Sequence, residues 1–228
     1  MYSQLISFNL GVGVIPFENT EKYFRDWITK FKNHPTIDVY RDKKNPYVCH
    51  FSSKREGRTI LKLYIPFKAT YIKDCVLELF NFMTRENIIH DSKVLSSVRN
   101  DNVIVKVTCI EDANKIIKYV KNNILLLNNL LNSNPLLFPC SIIGAAVDNN
   151  YTYLVEVCEV VASVIEELCS RNQLENFTIK FIRNTFSKLA VKCNDDELSE
   201  IFRFASLVLE EGSTIQDFAN YVLENGDI

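Results

Sequence analysis

The order of predicted elements in the middle of the chain constrains the fold more than any other feature of the sequence. Hydrophobic periodicity there predicts strand, helix, strand, strand, helix and strand, at 59–67, about 70–85, 89–97, 102–109, 111–131 and 140–147. The strand at 102–109 shows strict alternation, with Val103, Val105 and Val107 on one face. The order β-α-β-β-α-β matches a ferredoxin-like sheet.

The flanking segments add a hairpin at one end and helices at the other. Aromatic residues at helical spacing predict a helix over about 20–32, and strands at 37–41 and 47–51 flank a turn-type run. With the strand at 59–67 they suggest an antiparallel meander. The remaining helices are expected near 151–171, 177–190, 195–211 and 214–224. We therefore predict an α+β fold, with a sheet core over 1–150 and a helical C-terminal subdomain over 151–228 packed on it.

Composition excludes several broad classes of protein. The chain has 228 residues, of which 47% are apolar and 24% charged, which argues against disorder and low-complexity sequence. No apolar run reaches the roughly 18 to 20 residues that span a bilayer, and we expect no signal peptide and no membrane partner. Seven cysteines without a C-x-x-C pair, and only three histidines, give no zinc spacing, so no metal is expected. The cysteine usage favours a reducing, cytoplasmic location.

Charge is distributed unevenly along the chain. The formal charge is +6 over residues 1–68, +1 over 69–132 and −9 over 133–228, for a net charge of −2. The plainer interpretation is that the two ends attract each other in the fold. The alternative is that the basic end meets an anionic ligand or partner. A sequence pI near 6.0 does not favour a dedicated nucleic-acid binder.

Standard catalytic motifs are missing from the sequence. Gly11-Val12-Gly13 lacks a third glycine at the required spacing, and Pro16 follows before the first helix, so a tight or bulged turn is the better interpretation. The sequence has no G-x-S-x-G elbow, no H-E-x-x-H and no P-loop. Acyl-transfer, zinc-protease and NTPase functions are therefore not supported.

The segment from His90 to Lys106 concentrates ionisable side chains in two predicted strands. A lysine on a sheet, such as Lys93, can have its pKa lowered by burial or by a cationic neighbour, and can then abstract a proton from carbon. Arg99 can bind a phosphate through two parallel hydrogen bonds, Asp101 could orient Arg99, and His90 could be the general acid. The plainer interpretation is a polar strand face with an ordinary turn.

The order of these segments resembles the HopA1-type effector family. In that family a strand and a helix precede a strand with a lysine, an R-x-D turn and another strand, and a later P-L-F segment is followed by a glycine and an acidic residue. The matching positions, over roughly residues 59–170, are Lys93, Arg99, Asp101, Pro135-Leu136-Leu137-Phe138 and Gly144. Ser97 stands where the family often has an aromatic residue before R-x-D.

The resemblance implies a lyase similar to phosphothreonine lyases and to the eliminating enzymes of lanthipeptide pathways. Such an enzyme removes the α-proton of a phosphorylated Ser or Thr in a peptide or protein, phosphate leaves, and no cofactor is needed. It implies Lys93 as base and His90 as acid, with Arg99 and Lys106 as phosphate holders. It also implies a partner kinase that installs the phosphate. Positions 90 and 93 of an unbroken strand point to opposite faces, so His50 on the neighbouring hairpin is an alternative acid.

Two further functions are compatible with the sequence. The first is a non-catalytic protein-interaction module of a bacterial mobile element or phage, whose sheet edge or C-terminal helices would bind another protein. The second is nucleic-acid binding through a basic hairpin interleaved with aromatic residues. A solvated hairpin tip explains those charges more simply, and the acidic C-terminal part argues further against nucleic acid. The residues concerned are Lys43, Lys44, Lys54, Arg55, Arg58, Tyr40, Tyr47 and Phe51.

Overall fold

The computed structural model describes residues 20–44, 48–95, 102–131, 137–140 and 143–211, and over these residues it confirms the α+β class. The strands are β1 (Ile37–Arg41), β2 (Val48–Ser53), β3 (Leu61–Ile65), β4 (His90–Leu95), β5 (Val103–Val107), β6 (Phe138–Cys140) and β7 (Ile143–Val147). The helices are α1 (Thr20–Phe31), α2 (Ile72–Arg85), α3 (Ile110–Asn122), α4 (Ile124–Asn128), α5 (Tyr153–Ser170), α6 (Ile179–Lys192) and α7 (Asp196–Glu211). Short 3₁₀ turns lie at Ala69–Tyr71 and Leu174–Asn176. The helix predicted at 214–224 lies outside the described residues.

The strands form one sheet in the order β1-β2-β4-β5-β3-β7-β6. The pairs β1–β2, β2–β4, β4–β5 and β5–β3 are antiparallel. The four strands of the predicted β-α-β-β-α-β unit are β3, β4, β5 and β7. They lie side by side in the order β4-β5-β3-β7, which is the ferredoxin-like order. The hairpin β1–β2 extends the sheet past β4, so two strands separate β3 from the hairpin that precedes it in sequence.

One face of the sheet carries the main hydrophobic core. Val103, Val105 and Val107 are fully buried, as their alternation predicts, and their cluster includes the apolar faces of α1 and α2. Phe51 on β2 lies among aromatic rings, with Trp27 of α1 at 5.8 Å and Phe80 of α2 at 4.7 Å between centroids. Each such side chain contributes about 2 to 3 kcal/mol when fully buried. Because these contacts bury the core side of β2 and β4, only the opposite face of these two strands is left for polar functional side chains.

The helix predicted over 111–131 is divided in two at Asn123. This residue has an extended backbone, with φ −91° and ψ 115°, so the α-helix cannot continue through it. Its side chain then accepts a hydrogen bond from the N–H of Leu126 at 3.2 Å and caps α4. An asparagine inside an apolar helical pattern therefore marks a helix start here, because its short amide competes with the backbone.

The C-terminal helices begin at identifiable caps. Asp195 accepts a hydrogen bond from the N–H of Leu198 at 2.9 Å and so caps the start of α7. At the start of α6 the hydroxyl of Thr178 accepts a hydrogen bond from the N–H of Phe181 at 3.2 Å. Phe186 of α6 is fully buried and lies 6.1 Å from Phe202 of α7, between ring centroids.

The chain divides into two compact units. The larger unit contains β1 to β5 together with α1 to α4, and the smaller unit contains α5 to α7. The division passes through β7, between Ala145 and Ala146. The boundary expected from the sequence, between residues 150 and 151, stays a prediction.

Candidate functional site

The candidate site lies on β4, whose two faces have different surroundings. His90, Ser92 and Val94 are buried on the side of the core, whereas Asp91 and Lys93 are partly exposed on the other side. Because side chains alternate along an unbroken strand, His90 and Lys93 point to opposite faces. The structure therefore separates the acid and the base that the resemblance implies.

Strand register brings a different histidine to Lys93. In the antiparallel pair β2–β4, His50 lies directly opposite Lys93, and Ser52 lies opposite Asp91. On the other side of β4, Lys106 of β5 lies opposite Asp91. Directly opposite residues in an antiparallel pair have Cβ atoms about 4.5 to 5.5 Å apart, so these side chains are immediate neighbours.

We call His50, Ser52, Asp91, Lys93 and Lys106 the cross-strand polar cluster. The hydroxyl of Ser52 donates to Oδ1 of Asp91 at 2.9 Å, and Nζ of Lys106 lies 4.0 Å from Oδ2 of the same carboxylate. The Asp91 side chain is 39% exposed and that of Lys106 is 20% exposed. The cluster is thus open enough to be reached from solvent, yet ordered by contacts between strands.

The His50 side chain is more enclosed than those of Asp91 and Lys106. Its Nε2 lies 3.6 Å from Oδ2 of Asp42, and its ring is stacked on Tyr40 at 4.8 Å with an interplanar angle of 2°. Its Nδ1 is buried and has no hydrogen-bond partner among the described residues. The side chain is 12% exposed. Nδ1 of His50 is therefore available to accept a proton once the groups that bury it move.

Burial and charge keep His50 neutral. Burial lowers the pKa of His50 below its ordinary value of 6.5, and the positive charge of Lys93 lowers this pKa further. The carboxylates of Asp91 and Asp42 oppose that decrease without cancelling it. At pH 7 the imidazole can therefore accept a proton, and it stands beside a lysine side chain.

His90 belongs to the core side of β4. It is 3% exposed, its ring is stacked on Phe80 at 5.5 Å, and its Nδ1 shares a hydrogen bond of 2.9 Å with Oγ of Ser92. Burial lowers the pKa of His90 to about 4, against the opposing effects of Asp91 and of a hydrogen bond to the backbone of Phe51. His90 is thus a neutral core residue at pH 7.

Some residues predicted from the sequence lie outside the described residues. Arg99 and Asp101 are among them, together with Ser97 and the Pro135-Leu136 part of the P-L-F segment. Leu137 and Gly144 are described and buried. The roles predicted for Arg99 and Asp101 therefore stay predictions.

Sequence reasoning did not assign three residues around His50 and Lys93 to the site, and it named Tyr40 only as an aromatic residue of the alternative nucleic-acid-binding hairpin. Tyr40, Asp42 and Ser52 contact members of the cluster through ring stacking, an ion pair and a hydrogen bond. The signal for Ser52 was present in the sequence, because polar residues alternate with buried Cys49 and Phe51 along β2. The other two could be found only from the pairing of β1 with β2.

Where the structure is described, no group of three or more His, Cys, Asp or Glu side chains could hold a metal ion. None of the helices described above is long and apolar enough to cross a membrane.

Comparisons with known proteins give distant structural likeness. No family model matches the chain, and no curated protein matches it. The chain is similar to the structure of an effector protein from Pseudomonas syringae pv. syringae strain 61, with a TM-score of 0.42, 11% identity, and coverage of 64% of this chain and 74% of that one. It is also similar to an effector protein from Pseudomonas syringae pv. tomato strain DC3000, with a TM-score of 0.43, 14% identity, and coverage of 71% and 67%.

Both neighbours are effector proteins from Pseudomonas syringae. With TM-scores below 0.5, they carry no argument about activity. The phosphothreonine-lyase activity that the sequence resemblance implies stays a prediction.

Proposed function

We propose that the cross-strand polar cluster binds a phosphorylated Ser or Thr of a peptide or protein and eliminates its phosphate. The observation that carries the proposal is the register that places His50 opposite Lys93, with Lys106 one row further on. This arrangement combines a group that can accept a proton with two lysines that can attract a phosphate. Elimination of a phosphate ester requires both.

The geometry favours a different division of roles from the one that the resemblance implies. His50 is neutral at pH 7 because burial and Lys93 lower its pKa, so in this proposal His50 takes the α-proton of the substrate. The electron pair left on the α-carbon forms the carbon–carbon double bond, and the bond from the β-carbon to oxygen breaks. Phosphate leaves as an anion that the ammonium groups of Lys93 and Lys106 stabilise.

Access to His50 is the step that this proposal requires of the protein. Tyr40 is stacked on the imidazole and is itself 52% exposed, so it is free to move on one side. Rotation of Tyr40 away from the ring would open one face of the imidazole. A substrate that binds across β2 and β4 would then replace the tyrosine ring.

The first experiment measures elimination directly. The chain is incubated with phosphothreonine and phosphoserine peptides, and mass spectrometry records loss of phosphoric acid. We expect loss of activity in His50→Gln, whereas Lys43→Gln, which changes an exposed lysine outside the cluster, keeps it. If the phosphopeptide stays intact after incubation with the wild-type chain, with and without a partner kinase, the proposed lyase activity is refuted.

A second experiment separates the two assignments of the base. If His50 is the base and Lys93 holds phosphate, Lys93→Arg retains much of the activity because arginine keeps the charge. If Lys93 is the base, Lys93→Arg is inactive, since a guanidinium stays protonated. The pH dependence of kcat/KM gives an independent reading. A His50 base produces a rise centred below pH 6.5, the ordinary pKa of histidine.

An interaction module is the second candidate, and the sheet edge favours it. β1 is the terminal strand of the sheet, and β2 is its neighbour within the described part of the chain. A terminal strand can accept an added strand from another protein through main-chain hydrogen bonds. Saturable binding of the phosphopeptide without loss of phosphate would favour this candidate over the lyase.

A further inference from the structure

Exposed apolar side chains of the larger unit are concentrated on and just after α4. Twelve large apolar or aromatic side chains are exposed in the described part of the chain, and four of these fall between positions 124 and 131. Ile124 is 76% exposed, and Leu125, Leu127 and Leu131 are between 38% and 41% exposed. We call these four residues the α4 patch. Single exposed apolar residues are ordinary, whereas a cluster of them marks an interaction site.

Hydrogen bonds hold α4 so that the patch stays on the surface. Leu126 is fully buried and fixes the inner side of the helix against the core. The side chain of Asn129 donates to the carbonyl of Leu125 at 2.8 Å, and the N–H of Leu131 donates to the carbonyl of Pro66 at 2.6 Å. Because a surface helix buries only one of its faces, the side chains on either side of Leu126 stay in solvent.

Lysines lie at both ends of the α4 patch. Lys121 is exposed on the last turn of α3, three residues before Ile124, and Lys118 is exposed one turn earlier on the same helix face. At the other end, Nζ of Lys68 donates to the carbonyl of Asn128, the last residue of α4, at 2.8 Å. The sequence has no Asp or Glu from residue 113 to residue 147.

Glu78 of α2 brings a carboxylate to the start of α4. Its Oε1 accepts hydrogen bonds from the hydroxyl of Tyr119 and from the side-chain amide of Asn123, the latter at 3.1 Å. The three lysines outnumber this carboxylate, so the surroundings of the α4 patch carry an excess of positive charge although the whole chain is weakly acidic.

A membrane surface fits this combination better than the surface of another protein. Each partner in a stable protein interface contributes about 20 to 30 residues, many more than the α4 patch contains. Contact with a bilayer surface requires less, because its strength increases with the apolar area that enters the boundary between headgroups and acyl chains. Lysines beside that area add attraction to anionic lipids.

We propose that the α4 patch binds a bilayer surface that contains anionic phospholipid. Its apolar side chains enter the boundary region, while Lys68, Lys118 and Lys121 meet the negatively charged headgroups. The expectation of no membrane partner came from the lack of an apolar run that could span a bilayer, and contact with the surface needs no such run. The proposal uses no residue of the cross-strand polar cluster and does not depend on the lyase activity.

The test is co-sedimentation of the whole chain with vesicles. One set contains phosphatidylcholine with about a third of phosphatidylserine, and the other contains phosphatidylcholine alone. We expect the wild type to bind the first set in a saturable way, to bind the second set much more weakly, and to be released from the first set as salt is raised.

Two pairs of variants separate the patch from the overall charge. Ile124→Asp should weaken binding to the anionic vesicles at least about tenfold, because it places a carboxylate in the apolar contact. Val191→Asp makes the same change of charge at an apolar residue of α6 that is 86% exposed, and should bind as the wild type does. Lys121→Gln should weaken binding about fivefold, whereas Lys192→Gln, at an exposed lysine of α6, should not.

Folding of the variants is checked by their urea unfolding midpoints. Ile124 is mostly in solvent, so Ile124→Asp should keep the midpoint of the wild type, and Leu127→Ser provides a second variant of the patch without added charge. Leu127→Ser should also weaken vesicle binding.

Three results would overturn the proposal. The first is a wild type that stays in solution with both sets of vesicles, or that binds the two sets equally. The second is equal binding of Ile124→Asp and Val191→Asp to the anionic vesicles. The third is a wild type that binds no vesicles but forms a dimer in sedimentation velocity, which Ile124→Asp abolishes, because the α4 patch would then join two copies of the chain.

Discussion

Protonation of His90 should couple the stability of the fold to pH. A pKa of about 4 in the folded chain, against 6.5 for the ordinary group, corresponds to about 3 kcal/mol of unfolding free energy. Above pH 6.5 the histidine is neutral in both states and this loss is absent. Between pH 6.5 and 4 the unfolded chain binds a proton that the folded chain does not, so stability falls as pH falls. Below pH 4 the loss is complete.

The assay is urea unfolding at a series of pH values from 7.5 to 4.5. Other groups also titrate in this range, so the comparison is between His90→Phe and its parent, both in a Ser92→Ala background. That background removes the hydroxyl that would lose its partner at 2.9 Å when the imidazole is replaced. We expect the parent to lose about 2 to 3 kcal/mol more than His90→Phe on acidification. Equal losses in the two proteins would refute burial of a neutral His90.

Three further predictions concern separate parts of the molecule. Asn102→Ala should lower the free energy of unfolding, measured in urea, by about 2 to 4 kcal/mol. The buried amide of Asn102 makes two hydrogen bonds to the backbone of Phe67, which follows β3, and the variant loses both. Lys93→Gln should raise the pKa of His50 in an NMR titration, since the lysine charge lowers it; an unchanged pKa would show that the two side chains do not interact. In the folded chain Cys75 should resist thiol reagents while exposed Cys169 reacts, because burial raises the pKa of Cys75 to about 12; equal labelling by mass spectrometry would contradict this.

The elements of the fold were predictable because each depends on residues close together in sequence. The alternation of Val103, Val105 and Val107 predicts a strand with one buried face, and the structure buries all three completely. The apolar stripe of α2 likewise predicts both its helical state and its inward face. The order of these elements was enough to indicate the ferredoxin-like sheet, because few arrangements satisfy it.

The composition of the candidate site was less predictable because it depends on strand register. His50 and Lys93 are 43 residues apart in sequence, and a slip of one residue between β2 and β4 would place them on different faces. Local patterns limit the choice of face but do not measure the offset between distant strands. The pairing of His50 with Lys93 therefore had to come from the structure.

Asn102 shows a second limit of local reasoning. In the sequence it is the first residue of the strand predicted at 102–109, directly after Asn100 and Asp101, which are residue types typical of turns. In the structure its side chain is 1% exposed, accepts from the N–H of Phe67 at 3.0 Å and donates to the carbonyl of the same residue at 2.6 Å. A turn-forming residue thus became a buried connection because a distant backbone segment needed both hydrogen bonds.

The two faces of β4 give the strand two separable roles. The core side, through His90, supports folding and lines a cavity, while the other side, through Lys93, carries the polar cluster. Substitutions that keep the strand extended should therefore affect one role at a time. His90→Phe should change pH-dependent stability while the pKa of His50 stays the same, whereas Lys93→Gln should shift that pKa and leave the pH dependence that His90 contributes unchanged. If either substitution altered both properties, the two faces would be coupled through the strand.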